Sequence, residues 1–137
     1  MPRRSRAREV VLQLLYQDDL NPAPDIAAIE DFLRGRLNED EDLIEFARML
    51  RQGVRRNREE LDQLLSQRAA NWSLDRMAVT DRNILRLGAF EILYTDTPGR
   101  VAINEAVELA KRYGAQQSSQ FVNGILDRLL HDLCDDV

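Results

Sequence analysis

Near the start of the chain, apolar residues recur every three or four positions. Ala7, Val11, Leu14 and Leu15 follow this spacing, which puts side chains on one face of an α-helix and predicts a helix over about residues 6–18. Asn21-Pro22 with Pro24 ends it, because proline disfavours helical backbone in the residue before it. A weaker pattern carrying Ile29, Phe32 and Leu33 inward predicts a second helix over about residues 25–37. The third pattern is long: Leu43, Phe46, Ala47, Leu50, Val54, Leu61, Leu64 and Leu65 hold the helical period over about residues 39–68. Asn38 and Glu41 have the spacing of a capping box at its start, and Gly53 marks a kink or a close helix contact.

After Trp72 the pattern becomes a nearly continuous apolar run from Ile84 to Tyr94. A helix apolar on most sides is buried among others, and Thr80 with Asp81 supplies a cap and a favourable first-turn charge. Thr97-Pro98-Gly99 makes a turn. The next helix covers about residues 101–113, with Ile103, Ala106, Val107 and Ala110 inward, Lys111 and Arg112 in its last turn and Gly114 as its C-cap. The last helix begins between Gln116 and Ser119 and carries Phe121, Val122, Ile125, Leu126, Leu129 and Leu130. Its period runs straight through Asn123-Gly124, so Gly124 reads as a position of close approach. Strand alternation, internal repeats and low-complexity linkers are absent from the sequence. The expected fold is all-α, in two packed helical halves covering residues 1–72 and 73–137.

The length of 137 residues suits one compact domain or two small helical subdomains, with enough chain to bury a core. The single Cys134 leaves no internal disulfide and no cysteine-based metal cage, which fits a reducing cytoplasm. Nothing approaches the roughly twenty apolar residues of a membrane span, and MPRRSRAREVV lacks the apolar block of a signal peptide. A cytoplasmic protein with no membrane partner is expected. His131 is the one histidine and has no spaced partner, so no metal site is expected. Phosphate-binding glycine loops, GxSxG and a histidine-paired nucleophile are missing. The expectation is a protein with no cofactor and no catalytic role.

The net charge of −5 argues against nucleic acid until its distribution is considered. Arg3, Arg4, Arg6 and Arg8 fall within the first eight residues, while the other end, HDLCDDV, is acidic. Arginines at a helix amino terminus oppose the helix dipole and cost a few tenths of a kcal/mol each. A polyanion reverses that penalty, because guanidinium groups and orphan amides both address phosphate oxygens. These residues therefore form a candidate RNA contact; the alternative is a solvated tail. A second candidate is GAQQSSQF, where Gln116, Gln117, Gln120 and two serines precede Phe121. Amide hydrogen bonds with aromatic stacking are how single-stranded RNA is recognised. Core packing is the alternative for Phe121, and an ordinary N-cap for Ser118 or Ser119.

Three segments carry a family resemblance. RVAINEAVELAKRYGAQQSSQFVNGILDRLL, residues 100–130, closely resembles the signature of the bacterial NusB family of transcription antitermination factors, as do VTDRNILRLGAFEILY, residues 79–94, and RSRAREVVLQLLYQ, residues 4–17. Residues 21–72 agree only in length and helical pattern. The resemblance implies seven helices in two bundle-like halves. It also implies binding of single-stranded boxA RNA as a heterodimer with the ribosomal protein NusE, within an antitermination complex that helps RNA polymerase read through terminators, notably in ribosomal RNA operons. By position it implies RNA contacts at Arg4, Arg6 and Arg8, with Arg3 in addition, and at Gln117, Ser118, Gln120 and Phe121. At Gln117 and Gln120 the family often has an acidic and a basic residue respectively. The NusE-facing positions fall on Tyr16 and Asp81; the alternative for Tyr16 is core packing, since it follows two leucines. Two other readings stand beside this one. A similar domain targets a ribosomal RNA methyltransferase to its substrate, although no nucleotide-binding domain follows here, and some family members form homodimers that cover the RNA surface.

Overall fold

The computed structural model describes residues 3–21, 23–69 and 74–135. Among the described residues there are seven α-helices and no strand: α1 (Arg3–Leu20), α2 (Ile26–Arg36), α3 (Glu41–Arg56), α4 (Arg58–Arg68), α5 (Val79–Tyr94), α6 (Gly99–Tyr113) and α7 (Ser118–Asp135), with a 3-10 turn at Leu74–Arg76. The all-α expectation holds. None of these helices is long and apolar enough to cross a membrane. The chain groups into two compact units, Met1–Gly53 and Val54–Val137. The boundary expected between residues 72 and 73 lies outside the described residues.

In the first unit, α1 buries Ala7, Val10, Val11, Leu14 and Leu15. It begins at Arg3, a turn earlier than its apolar period indicates, because tertiary contacts hold that turn: Arg3 pairs with Asp40, and the Arg4 guanidinium lies 4.4 Å from the centre of the Phe46 ring. Asp25 caps α2, its Oδ1 accepting from the N–H groups of Ala27 (3.0 Å) and Ala28 (3.3 Å). Where α2 ends, Asn38 and Glu39 turn left-handed at φ 54° and 59°, and the Glu39 N–H returns 2.9 Å to the Arg34 carbonyl. This is a Schellman-type stop with asparagine in the place usually held by glycine. Asn38 therefore terminates α2 instead of capping α3. The cap of α3 is Asp40, whose Oδ1 accepts from the Leu43 N–H at 3.3 Å, and Glu41 and Asp42 favour the positive end of the helix dipole. Two bidentate pairs complete the unit. Arg48 holds Glu30 at 2.8 and 2.7 Å, and the nearly buried Arg51 holds Asp18 at 3.0 and 2.8 Å.

The expected long third helix is interrupted at Asn57, whose φ and ψ are −106° and 17°. The break follows the charges. Arg55 and Arg56 occupy the last turn of α3, while Glu59 and Glu60 occupy the first turn of α4, so each new helix end meets the sign its dipole favours. Gly53, expected to mark a kink or a close helix contact, lies within α3, four residues before the break.

In the second unit, α5 is buried from Asn83 to Glu91 and packs against α4, α6 and α7. Its cap position is Ala78, which gives no side-chain hydrogen bond, so Thr80 is inside the helix and Asp81 is in its first turn. Arg86 is 3% exposed, yet its guanidinium donates to both carboxylate oxygens of Asp62 (2.7 and 2.9 Å) and to the Asn83 side-chain oxygen (3.0 Å). A buried cation is tolerated because its donors are engaged. Close approach falls on Gly88, where a Cβ would lie 2.6 Å from Leu126 Cδ1 and 3.3 Å from Ala106 Cβ. Gly124, expected in that role, has nothing within 4 Å of such a Cβ. Leucine and isoleucine side chains such as Ile84, Leu85, Ile103 and Leu126 are wholly buried, each contributing roughly 1.5–3 kcal/mol.

Candidate nucleic-acid interface

The four arginines of the amino-terminal set have different surroundings. Arg3, with a side chain 66% exposed, pairs with Asp40, and that hydrogen bond raises the arginine's pKa and, together with the Leu43 backbone N–H, holds the Asp40 carboxyl below the usual carboxylate range. Arg4 is exposed, with its guanidinium over the Phe46 ring. Arg6 is half-exposed, 3.5 Å from Glu9 one turn on. Arg8 is 3% exposed, with its guanidinium 5.2 Å from the centre of the Phe46 ring. Arg3, Arg4 and Arg6 therefore present cations at the surface, whereas Arg8 supports the aromatic ring from the protein side. A cavity of about 510 Å³ adjoins this set, lined by Arg3, Arg4, Asp42, Leu43, Glu45, Phe46 and Met49. Tyr16, on the same helix, is 46% exposed while Leu14 and Leu15 beside it are buried, so its ring is not part of the core.

The second set sits in the other unit, where α7 starts. Ser118 is 4% exposed and fully used: its Oγ accepts from the Ala115 N–H at 2.9 Å and donates to Asp81 Oδ2 at 2.9 Å. It joins the first turn of α7 to the first turn of α5. Gly114 is required beside it, because a Cβ there would lie 2.6 Å from Ser118 Cβ and 2.7 Å from the Ala110 carbonyl oxygen. Gln117 and Gln120 are exposed and Phe121 is half-buried. Together with Asp81 and Ser118 they line a cavity of about 500 Å³, completed by Arg76, Met77, Ala78 and Ala115. The geometry thus brings Gln117, Ser118, Gln120, Phe121 and Asp81 to one place. Among them, Ser118 and one oxygen of Asp81 hold the site together, while both glutamines are exposed.

A model of the NusB family matches residues 5–131. The chain belongs to the NusB family. It is similar to the transcription antitermination protein NusB of Myxococcus xanthus (strain DK1622), with 47% identity over 133 residues that cover 94% of this chain and 95% of the relative. Its fold is similar to that of T. maritima NusB, with a TM-score of 0.83 at 41% identity, covering 96% of this chain and 92% of the other. It is also similar to a chain in a crystal structure of the antitermination factors NusB and NusE in complex with dsRNA, with a TM-score of 0.83 at 28% identity, covering 96% and 98% of the two chains. NusB relatives are thus matched along nearly their whole length, and the family is one of transcription antitermination proteins, not of enzymes.

Four residues of these surroundings escape the sequence reading. Asp40 and Phe46 meet the arginines only through the fold, 37 and 42 residues after Arg3 and Arg4. Arg76 and Met77 belong to a 3-10 turn and its exit, too short to leave a periodic signal.

Proposed function

We propose that the chain binds boxA-type single-stranded RNA together with a NusE-type ribosomal protein and, within an antitermination complex, promotes read-through by RNA polymerase, notably in ribosomal RNA operons. The observation that carries this is its likeness, over nearly the whole chain, to a chain of the NusB–NusE complex with dsRNA. The work is assembly in the cytoplasm, not catalysis. Arg3, Arg4 and Arg6 supply salt-dependent attraction to phosphates, with Arg8 and Phe46 fixing where the Arg4 guanidinium lies. Gln117, Gln120 and Phe121 supply base preference through amide hydrogen bonds and stacking. Ser118 acts from beneath, its bond to Asp81 setting the direction of the first turn of α7. Half-exposed Tyr16 and Asp81, whose Oδ2 is held by Ser118, are the positions that the family resemblance offers to NusE.

An electrophoretic shift with boxA RNA and a scrambled RNA, each with and without NusE, tests the reading. Preference for boxA, strengthened by NusE, is the expected result. Equal binding of both RNAs in every condition would remove the specificity, and no binding of either would remove the RNA role.

A further inference from the structure

A second arginine cluster stands where α3 gives way to α4. Arg55 and Arg56 close α3, Arg58 opens α4, and all three are exposed. Among the described residues no hydrogen bond or ion pair engages Arg56. The acids that follow do not cancel the cluster. Asp62 gives both carboxylate oxygens to Arg86 (2.7 and 2.9 Å), and Glu60 accepts from the Tyr94 hydroxyl. Arg55 and Arg56 suit the negative end of the α3 dipole, but Arg58 stands at the positive end of the α4 dipole, and three like charges so close in sequence repel one another. A bound anion relieves that repulsion, and planar guanidinium groups match phosphate oxygens two at a time. The place of the cluster in the fold selects the anion. The Tyr94–Glu60 bond ties the start of α4 to the last residue of α5, while Asp81, in the first turn of α5, holds Ser118 at the start of α7. Asp81 and Tyr94 are about 20 Å apart along α5, at roughly 1.5 Å per residue. The arginines therefore lie about one helix length from the α7 segment, a distance that several nucleotides of single strand cover, and none of them belongs to either set assigned to boxA.

We propose that Arg55, Arg56 and Arg58 hold phosphates of the RNA that flanks the boxA element. The proposal rests on the RNA reading above and adds to it a contact that does not depend on base sequence. Full-chain protein with NusE, titrated with boxA RNA alone and with boxA RNA lengthened by oligouridine at one end or the other, tests it. One of the two extensions should tighten binding and steepen the slope of log affinity against log salt by up to about 2, at roughly 0.7 for each phosphate contact. Arg55→Gln/Arg56→Gln/Arg58→Gln should lose this increment, keep its melting temperature and bind unextended boxA RNA as the unaltered protein does. Arg55→Lys/Arg56→Lys/Arg58→Lys, which keeps the charge, should retain the increment. Extensions that leave the slope unchanged, or steepen it as much in the glutamine-substituted protein, would overturn the proposal. So would an equal loss of affinity for extended and unextended RNA on glutamine substitution. Weaker binding of that protein to NusE without RNA would make the cluster a protein contact instead. Failure of the unaltered protein to bind boxA RNA at all would overturn the underlying reading, a result distinct from these.

Discussion

Asp40 caps α3 through Oδ1 and pairs with Arg3 through Oδ2, and one substitution separates these roles. Asparagine is as good an N-cap as aspartate but carries no charge. Asp40→Asn should therefore keep the cap and lower the melting temperature only by the small contribution of one exposed ion pair, while releasing Arg3 from an internal competitor of phosphate. Affinity for boxA RNA is expected to rise roughly two- to fivefold, the range of an exposed ion pair. The gain should vanish in an Arg3→Ala background; a gain that persists there would mean that only the general charge had mattered. Phe46 and Ser118 show what a residue-level reading misses. Phe46 carries the core period of α3 and Ser118 the position of an ordinary cap. Their further roles, as the plate beneath Arg4 and the clasp to Asp81, are created by contacts distant in sequence.

At the scale of elements, the two glycines of the α5–α7 pair make opposite predictions. Gly88→Ala places a Cβ against Leu126 and Ala106, both fully or almost fully buried, and overpacking of this kind should destabilise by about 1–3 kcal/mol. Gly124→Ala meets open space within a helix and should stabilise by about 0.5–1 kcal/mol through helix propensity and a less flexible unfolded chain. Chemical denaturation of the two variants checks both signs. Ion pairs between elements add a pH dependence. Glu30 is held below the usual carboxylate range chiefly by its hydrogen bond from Arg48, and Asp40 chiefly by that from Arg3. Each is depressed in the folded state, so its contribution is complete above the unfolded carboxylate pKa of about 4 and is lost as pH falls through the folded value. The acid limb of a plot of melting temperature against pH should therefore be shallower in Glu30→Gln/Asp40→Asn, with the curves differing most above about pH 4. The helices themselves were legible because their apolar faces keep a 3.6-residue period. Their ends were less so: the break at Asn57 and the stop at Asn38 are set by charge against helix dipoles and by a left-handed turn, signals one or two residues long.

For the whole molecule, the relevant quantity is where positive charge stands on a chain whose net charge is −5. A uniformly acidic protein repels RNA, so binding must be local and its salt dependence must count the few cations that meet phosphate. The amino-terminal cluster presents three cations at the surface, because the fourth, Arg8, is buried against Phe46. That difference was not legible in the sequence, where the four arginines look equivalent; only the pitch of α1 and the position of Phe46 sort them. It yields a count that titration with salt can read. Replacing Arg3, Arg4 and Arg6 with alanine should reduce the slope of log affinity against log salt by about 2, at roughly 0.7 for each contact with single-stranded RNA. Adding Arg8→Ala should leave that slope unchanged while lowering the melting temperature, since it removes a buried side chain that packs on an aromatic ring. A further fall in slope with Arg8→Ala would show instead that α1 reorganises on binding and delivers the fourth arginine to the RNA.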